Sequence, residues 1–374
     1  MKFVETMRPK RIDPLLCDLD LALSATFHPA GFPLRIATNS PHVLEAAAES
    51  WAAFDRQFDT PAMEFRVVVE PAGDLAREPT FRKQLHLLSF VSDANNFATG
   101  DSRTLSATFH LSEATAANHL WLRWFYLESM AYMLLTQRYV VSLHAACVAR
   151  DGAGILICGP PGCGKSTLSF ACARAGFTYV SDDCTWLLLD SADRMAVGKP
   201  HQFRFRHDAA RHFPELAGFA ASAHPNGKLT IEVPASLFPA IRTRRRCSIH
   251  SLVFLYRESD GPARVEPIRA EDAVTALLAD LPSYGDEVEC QAREDDTPPG
   301  HPSRLAPPLP RSGRCGSPIE RPPDPAGRGS MRSSSAPART AGLHRWLANH
   351  HRRARLTRFS ADDDTYPDCI AGRY

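Results

Sequence analysis

The sequence predicts an α/β chain in three parts: an α+β domain over 1–138, a domain with a mixed sheet and a glycine-rich loop over 139–285, and a Pro/Arg/Ser-rich tail over 286–374. Three observations predict it. An apolar strand, Ile155–Cys158, runs straight into a glycine loop and then a helix. The apolar run before it is separated by only Arg150–Gly154, and a connection that short forces two strands to be antiparallel neighbours. After Leu281 the aliphatic periodicity stops.

Length and composition fit this plan. The chain has 374 residues, room for two cores of ordinary size. Its formal net charge of +1 gives no field that would gather nucleic acid, so no nucleic-acid partner is expected. No apolar core of a secretion signal follows the early charges, and the greasiest stretch, Leu120–Leu135, carries Arg123 and Glu128 and is short for a membrane span. The 10 cysteines show no CxxC pair and no zinc spacing, which suits a reducing compartment; the expectation is a cytoplasmic protein with no membrane partner.

In the first part, Leu21–Phe27 and Pro33–Thr38 read as strands. A helix follows, with Ser40 as N-cap and Pro41 at its first position, running to about Phe54. Met63–Val69, His86–Ser92 and Ser102–Leu111 read as further strands, and Thr115 to Gln137 as one long helix. The histidines here (His28, His42, His86, His110, His119) are scattered in sequence and read as surface or core residues. In the second part Tyr139–Ala149 reads as one strand, Ser166–Ala175 as a helix, and Thr178–Ser181 as a strand ending on Asp182-Asp183. Trp186–Leu189, Leu229–Val233 and Ile249–Tyr256 are extended, and Ala270–Leu281 is helical. Eleven of the 30 prolines fall between Cys290 and Gly342, too little apolar surface there to offset ordering. A natural disordered tail and a shifted reading frame both account for that break.

The loop Gly159-Pro160-Pro161-Gly162-Cys163-Gly164-Lys165-Ser166, followed by Thr167, matches GxxxxGK[ST]. Glycines let successive N–H groups turn toward phosphate oxygens, and the helix start adds its positive end. The pattern assigns Lys165 to the β- and γ-phosphates and the Ser166 hydroxyl to Mg²⁺, so ATP with Mg²⁺ is the expected cofactor. Asp182 and Asp183 close the next strand, at the sheet edge where α/β ligands bind. Adjacent strand residues face opposite ways, so one acid is expected to take a proton from the acceptor and the other, Asp182, to help Ser166 hold the metal. Alone, His144 in Val141-Ser142-Leu143-His144-Ala145 reads as a structural strand histidine.

The run "SLHAACVARDGAGILICGPPGCGKSTLSFACARAGFTYVSDDCTWLL" resembles the catalytic domain of bacterial HPr kinase/phosphorylase and its relatives, a group with a phosphoenolpyruvate-carboxykinase-like P-loop fold. The shared pattern is a histidine in the strand before, a hairpin turn, the glycine loop, and a double aspartate closing the next strand. By that resemblance Asp183 is the acid/base for an acceptor serine, Lys165 and Ser166 bind phosphate and Mg²⁺, and His144 supports catalysis. The implied activity is transfer of the γ-phosphoryl group of ATP to a hydroxyl of a peptide, protein or small molecule. A homo-oligomer is compatible with it. The family's metal-binding glutamate has no counterpart in Gly198–Arg206, where basic residues stand as candidates to meet phosphate or substrate.

Two other readings stay open: a small-molecule kinase of the shikimate or gluconate type, which usually lacks the strand before the loop strand, and a non-catalytic ATP-binding scaffold or sensor. Lesser signals are the basic run Arg242–Arg246, read as a solvated loop, and Asn226-Gly227-Lys228, read as a hairpin turn with Lys228 near a site. Cys163 inside the loop is a candidate for oxidation that blocks ATP.

Overall fold

Alternation sets the first layer. In Met63–Glu70, Met63, Phe65, Val67 and Val69 are buried while Glu64 and Glu70 face solvent, as a half-covered strand demands. The computed structural model describes residues 21–281 and 355–361, apart from 72, 190, 192, 226, 258–263 and 280. Seven strands build this layer: β1 (Leu23–Phe27), β2 (Leu34–Thr38), β3 (Met63–Glu70), β4 (Thr80–Gln84), β5 (Leu87–Val91), β6 (Phe97–Asp101) and β7 (Ser106–Ser112). Their order is β1-β2-β3-β7-β6-β5-β4, parallel at β2/β3 and β3/β7 and antiparallel elsewhere. β4 and β6 were not expected from sequence; Thr80–Gln84 is polar and mostly exposed, and β6 contains Gly100.

Two helical segments cover one face. α1 (Pro41–Trp51) buries Val43, Ala46, Ala47 and Trp51. Ser40 holds the N-cap position, but its hydroxyl makes no capping bond; its N–H is instead donated to Thr38 Oγ1 at 3.2 Å. The single helix expected over Thr115–Gln137 is divided. α2 (Glu113–Ala117) is capped by Ser112, whose Oγ accepts from Thr115 N at 3.2 Å. Asn118 then leaves helical geometry and caps α3 (His119–Leu122) by accepting from Trp121 N at 3.1 Å. A π-helical segment, Arg123–Glu128, leads into α4 (Ser129–Arg138). Such wide turns favour functional positions, and this one sets Trp124 and Glu128 toward the second domain.

The second sheet contains β8 (Val140–Leu143), β9 (Ala146–Arg150), β10 (Ala153–Cys158), β11 (Thr178–Ser181), β12 (Thr185–Leu188) and β13 (Met195–Val197). β14 (Gln202–Arg206), β15 (Ser222–Ala223) and β16 (Leu229–Pro234) form a separate three-stranded sheet, and β17 (Arg246–Arg257) returns to the second sheet beside β10. The expected hairpin is present: β9 and β10 are antiparallel, joined by Asp151 (φ 50°) and Gly152 (φ 84°), the left-handed pair a tight hairpin turn requires. α5 (Lys165–Arg174) follows the loop and packs on one face, where Ala146, Val148 and Ile157 meet Leu168 and Cys172. α6 (Ala270–Ala279) packs on the other, where Cys147, Ala149 and Leu156 join Ala273 and Leu277. β9 is therefore buried on both faces, which explains its unbroken apolar run.

The expected strand Tyr139–Ala149 is in fact two, interrupted at His144-Ala145. Leu143 lies opposite Thr185 and Cys147 opposite Ser181, one register across the gap, and β11 then shifts by one residue against β9 at Val180. β8–β9 and β12–β11 are thus one antiparallel ladder with its middle rungs unpaired. Because β9 leads through β10, β17 and β13 back to β12, the sheet curls round on itself about that gap. The gap holds His144, Asp182 and Asp183.

Two further departures concern boundaries. The apolar core does not stop at 138/139: Val140, Trp186 and Val197 belong to the same cluster as the first domain's Trp51 and Leu134, and Tyr132 stacks on Trp186 at 4.7 Å. In the tail, Arg355–Ala361 forms β19, parallel to β17 and antiparallel to β18 (Arg264–Pro267), so the structureless reading does not extend to those seven residues. The rest of 286–374 lies outside the described residues, as does Asn226 of the expected turn. No helix among the described residues is long and apolar enough to cross a membrane.

Candidate functional site

The gap in the ladder gathers charge. His144 Nε2 stands 3.3 Å from Asp183 Oδ1, and Arg204 Nη1 stands 3.3 Å from Asp183 Oδ2. Side-chain bonds hold the gap open: Thr185 Oγ1 donates to Ala145 O at 2.8 Å, and Ser181 Oγ to Cys184 O at 2.5 Å. Had the rungs closed, His144 would sit in a regular strand and could not turn to the aspartate.

The two acids of the pair differ sharply. Asp182 is buried, with Oδ2 accepting the Arg204 backbone N–H at 2.5 Å. Burial first, and then the charge of Asp183, pushes its carboxyl up to about 7. Asp183 is about half exposed. Burial pushes its carboxyl up too, but the hydrogen bond from His144 and the charges of Arg204, His144 and Lys165 prevail and hold it down at about 2. Neighbouring carboxyls driven apart in this way divide into a protonatable group and a permanently ionised one.

The glycine loop lies beside them. Gly159, Gly162 and Gly164 have φ of 143°, 87° and 100°, conformations that a side chain resists. A Cβ at Gly159 would stand 2.7 Å from Leu255 O, so backbone fills the space beneath the loop. Lys165 is buried, and its Nζ donates to Gly159 O at 2.6 Å and Pro160 O at 3.3 Å, an ammonium folded into the concavity of its own loop. The backbone N–H of Cys163 is tied to Pro160 O at 3.2 Å. Pro161 and Ser166 sit on the rim, Thr167 in the first turn of α5.

The basic residues of Gly198–Arg206, expected from the sequence to be candidates for meeting phosphate or substrate, include two on β14. Arg204 and Arg206 are two apart on β14 and so share a face. Arg204 reaches Asp183, while the Arg206 guanidinium covers Gly162, with Nη2 3.0 Å from where a Cβ would be. Opposite Arg204 in register on β16 is Glu232, which accepts from Arg204 Nε at 2.8 Å and from Nη2 at 2.7 Å. Glu232 is thus held by two nitrogens of Arg204 from the strand paired with it. Arg204 also lines a small cleft between the helices over the first sheet and the β14–β16 sheet, with Arg123, Trp124, Lys199, His224 and Glu232 among its other walls.

Three expectations need correction. The Cys163 thiol is packed among Ala146, Leu168 and Val253 in the core below the loop, not turned toward phosphate, which removes the ground for a reactive role. The basic run Arg242–Arg246 is not merely solvated: Arg242 Nη2 donates to Gly176 O, and Arg245 pairs with Asp55 and Ala53 O across the domains. His42 and His119 are not isolated; the fold sets their ring nitrogens 3.3 Å apart.

Comparison with known proteins adds little. No family model matches the chain, and no curated protein matches it. A solved structure of the HPr(Ser) kinase/phosphatase from Coxiella burnetii is 21% identical, over 34% of this chain and 77% of that one, with a TM-score of 0.22.

Proposed function

We propose that the chain is a Mg·ATP-dependent phosphotransferase that moves the γ-phosphoryl group to a hydroxyl of a peptide, protein or small-molecule acceptor. The observation that carries this reading is Asp183: a half-exposed carboxylate, bracketed by His144 and Arg204, close enough to Lys165 for its ammonium to stabilise the charge. Phosphoryl transfer asks mainly for positioning and electrostatics, so a carboxylate ionised at neutral pH and held between two cations suits orienting the acceptor hydroxyl.

The loop at the start of α5 and the Ser166 hydroxyl offer donors and an oxygen for phosphate and Mg²⁺. Asp182, buried, held by the Arg204 N–H and pushed up to about 7, does not fit the metal role expected of it. Mg·ATP, when bound, supplies the electrophilic phosphorus. Lys165 exchanges its bonds to Gly159 O and Pro160 O for phosphate oxygens. Arg206, over Gly162, is placed to meet charge on the transferring group. Were Mg·ATP bound, the bond between the γ-phosphorus and the β–γ bridging oxygen would break as the acceptor oxygen bonds, and ADP would leave. The acceptor's proton, acidified late in the transfer, would pass by way of Asp183 and the adjoining His144 to water. The hairpin before the loop strand sets the chain apart from the shikimate and gluconate pattern.

The test uses γ-labelled ATP, Mg²⁺ and cell extract, with nucleotide binding measured separately. Wild type is expected to label an acceptor, and Asp183→Asn to bind ATP without labelling it. Undiminished transfer by the variant would remove Asp183 from the chemistry. ATP bound by wild type without any transfer would favour the scaffold reading.

A further inference from the structure

We infer that the first domain carries a site for a divalent transition-metal ion of the zinc class, formed by His42, Glu45 and His119. His42 and Glu45 lie one turn apart on α1, and His119 opens α3 across from them. His42 Nδ1, Glu45 Oε2 and His119 Nε2 form a triangle with sides of 3.3, 3.6 and 3.7 Å. Ligands about 2.0–2.2 Å from a tetrahedral centre stand about 3.3–3.6 Å from one another, so the triangle has the size of one face of a zinc tetrahedron. Two imidazoles and one carboxylate suit Zn²⁺ and its neighbours, not Mg²⁺ or Ca²⁺.

A second observation points the same way. Glu49, one turn further along α1, takes the other nitrogen of His119: Nδ1 to Oε1 is 2.6 Å, and Arg123 Nη1 holds Oε2 at 2.6 Å. A carboxylate on Nδ1 fixes the proton there and leaves Nε2 as a lone pair aimed at His42 and Glu45. Histidine ligands of metals are oriented in this way. Glu45 is 60% exposed, so the fourth position is open to water. The ion would tie α1 to the first residue of α3, which leads into the π segment. Because Glu49 and Arg123 also line the interdomain cleft, it would stiffen one wall of that cleft.

The test is a titration of full-length protein, first stripped with EDTA, with Co²⁺ followed by its visible absorption and then with competing Zn²⁺. Wild type is expected to bind one equivalent with the intense bands of low-coordinate Co²⁺ and no sulfur charge-transfer band. His42→Ala and His119→Ala should each weaken binding at least 100-fold. Glu49→Gln, which leaves all three ligands in place, should weaken it roughly 10–100-fold. Zn²⁺ should raise the melting temperature of wild type and not of His42→Ala, the metal-free proteins having the same circular dichroism. Absence of binding in wild type, a thiolate signature, or affinity unchanged in the histidine variants would each overturn the assignment.

Discussion

Two carboxylates paired with cations, Glu128 in the lining of the cleft and Asp183 in the gap of the ladder, have opposite surroundings. Glu128, on the π segment, accepts from Ser50 Oγ at 2.8 Å and pairs with Lys199 Nζ at 3.3 Å. Lys199 in turn lies over the rings of Tyr132, at 4.6 Å, and Trp186, at 5.6 Å. Burial alone would push the Glu128 carboxyl up, yet Lys199 and Ser50 bring it below its usual range. Every polar group of that pair meets protein. Asp183 also has its cations, but it is 45% exposed and lies beside the glycine loop. A closed pair joins domains. An open one is available to a third party.

The largest expected effect separates the two by chemistry. Asp183→Asn should lower phosphoryl transfer by about 10²–10⁴ while nucleotide binding is kept. It should also lower the urea midpoint above about pH 4, where the ionised carboxylate stabilises the fold, but not near pH 2. Next comes the closed pair. Lys199→Met should cost about 3 kcal/mol of stability, since Glu128 is left with a largely buried, uncompensated charge. The double change Glu128→Leu with Lys199→Met should restore most of it. A single substitution as costly as the double would show that packing, not charge, governs the contact.

A smaller effect lies within the aspartate pair and has opposite signs. Asp182 is raised in the folded state, so the native protein binds its proton more readily than the unfolded one; stability falls as pH rises from about 4 through 7. Asp183 is depressed, so its contribution is complete above about pH 4 and is lost toward pH 2. Asp182→Asn should therefore gain on the order of 2 kcal/mol over wild type at pH 8, and little at pH 4, in urea midpoints measured without Mg²⁺. The smallest effect belongs to the loop. Gly162→Ala forces a side chain into left-handed backbone against Arg206, which costs about 1 kcal/mol and is read as roughly fivefold weaker nucleotide binding.

What the sequence disclosed follows from the range of each interaction. The hairpin at Asp151-Gly152, the glycine loop and the helix after it are local, and all were legible. His144 and Asp183 were legible as members of a pattern. The break that lets them meet was not, because it exists only where two strands part and re-pair. Arg204 was visible as a basic residue, but Glu232 comes from a strand 28 residues on, and no periodicity announces that register. His42 and His119 lie 77 residues apart, too far for any spacing rule to join them. β19 hid because Arg355–Ala361 follows a stretch whose prolines and arginines dominate any window drawn across it.

The interrupted ladder also bears on how such a sequence can vary. The three residues between Leu143 and Cys147 are matched by three between Ser181 and Thr185, and directly beyond them β11 carries one extra residue, Val180, that shifts its register against β9. A bulge of that kind absorbs a change of length by leaving one residue unpaired. The strand beyond the gap has thus already accommodated one added residue, whereas an insertion between Ser181 and Thr185 would carry Asp182 and Asp183 out of step with His144.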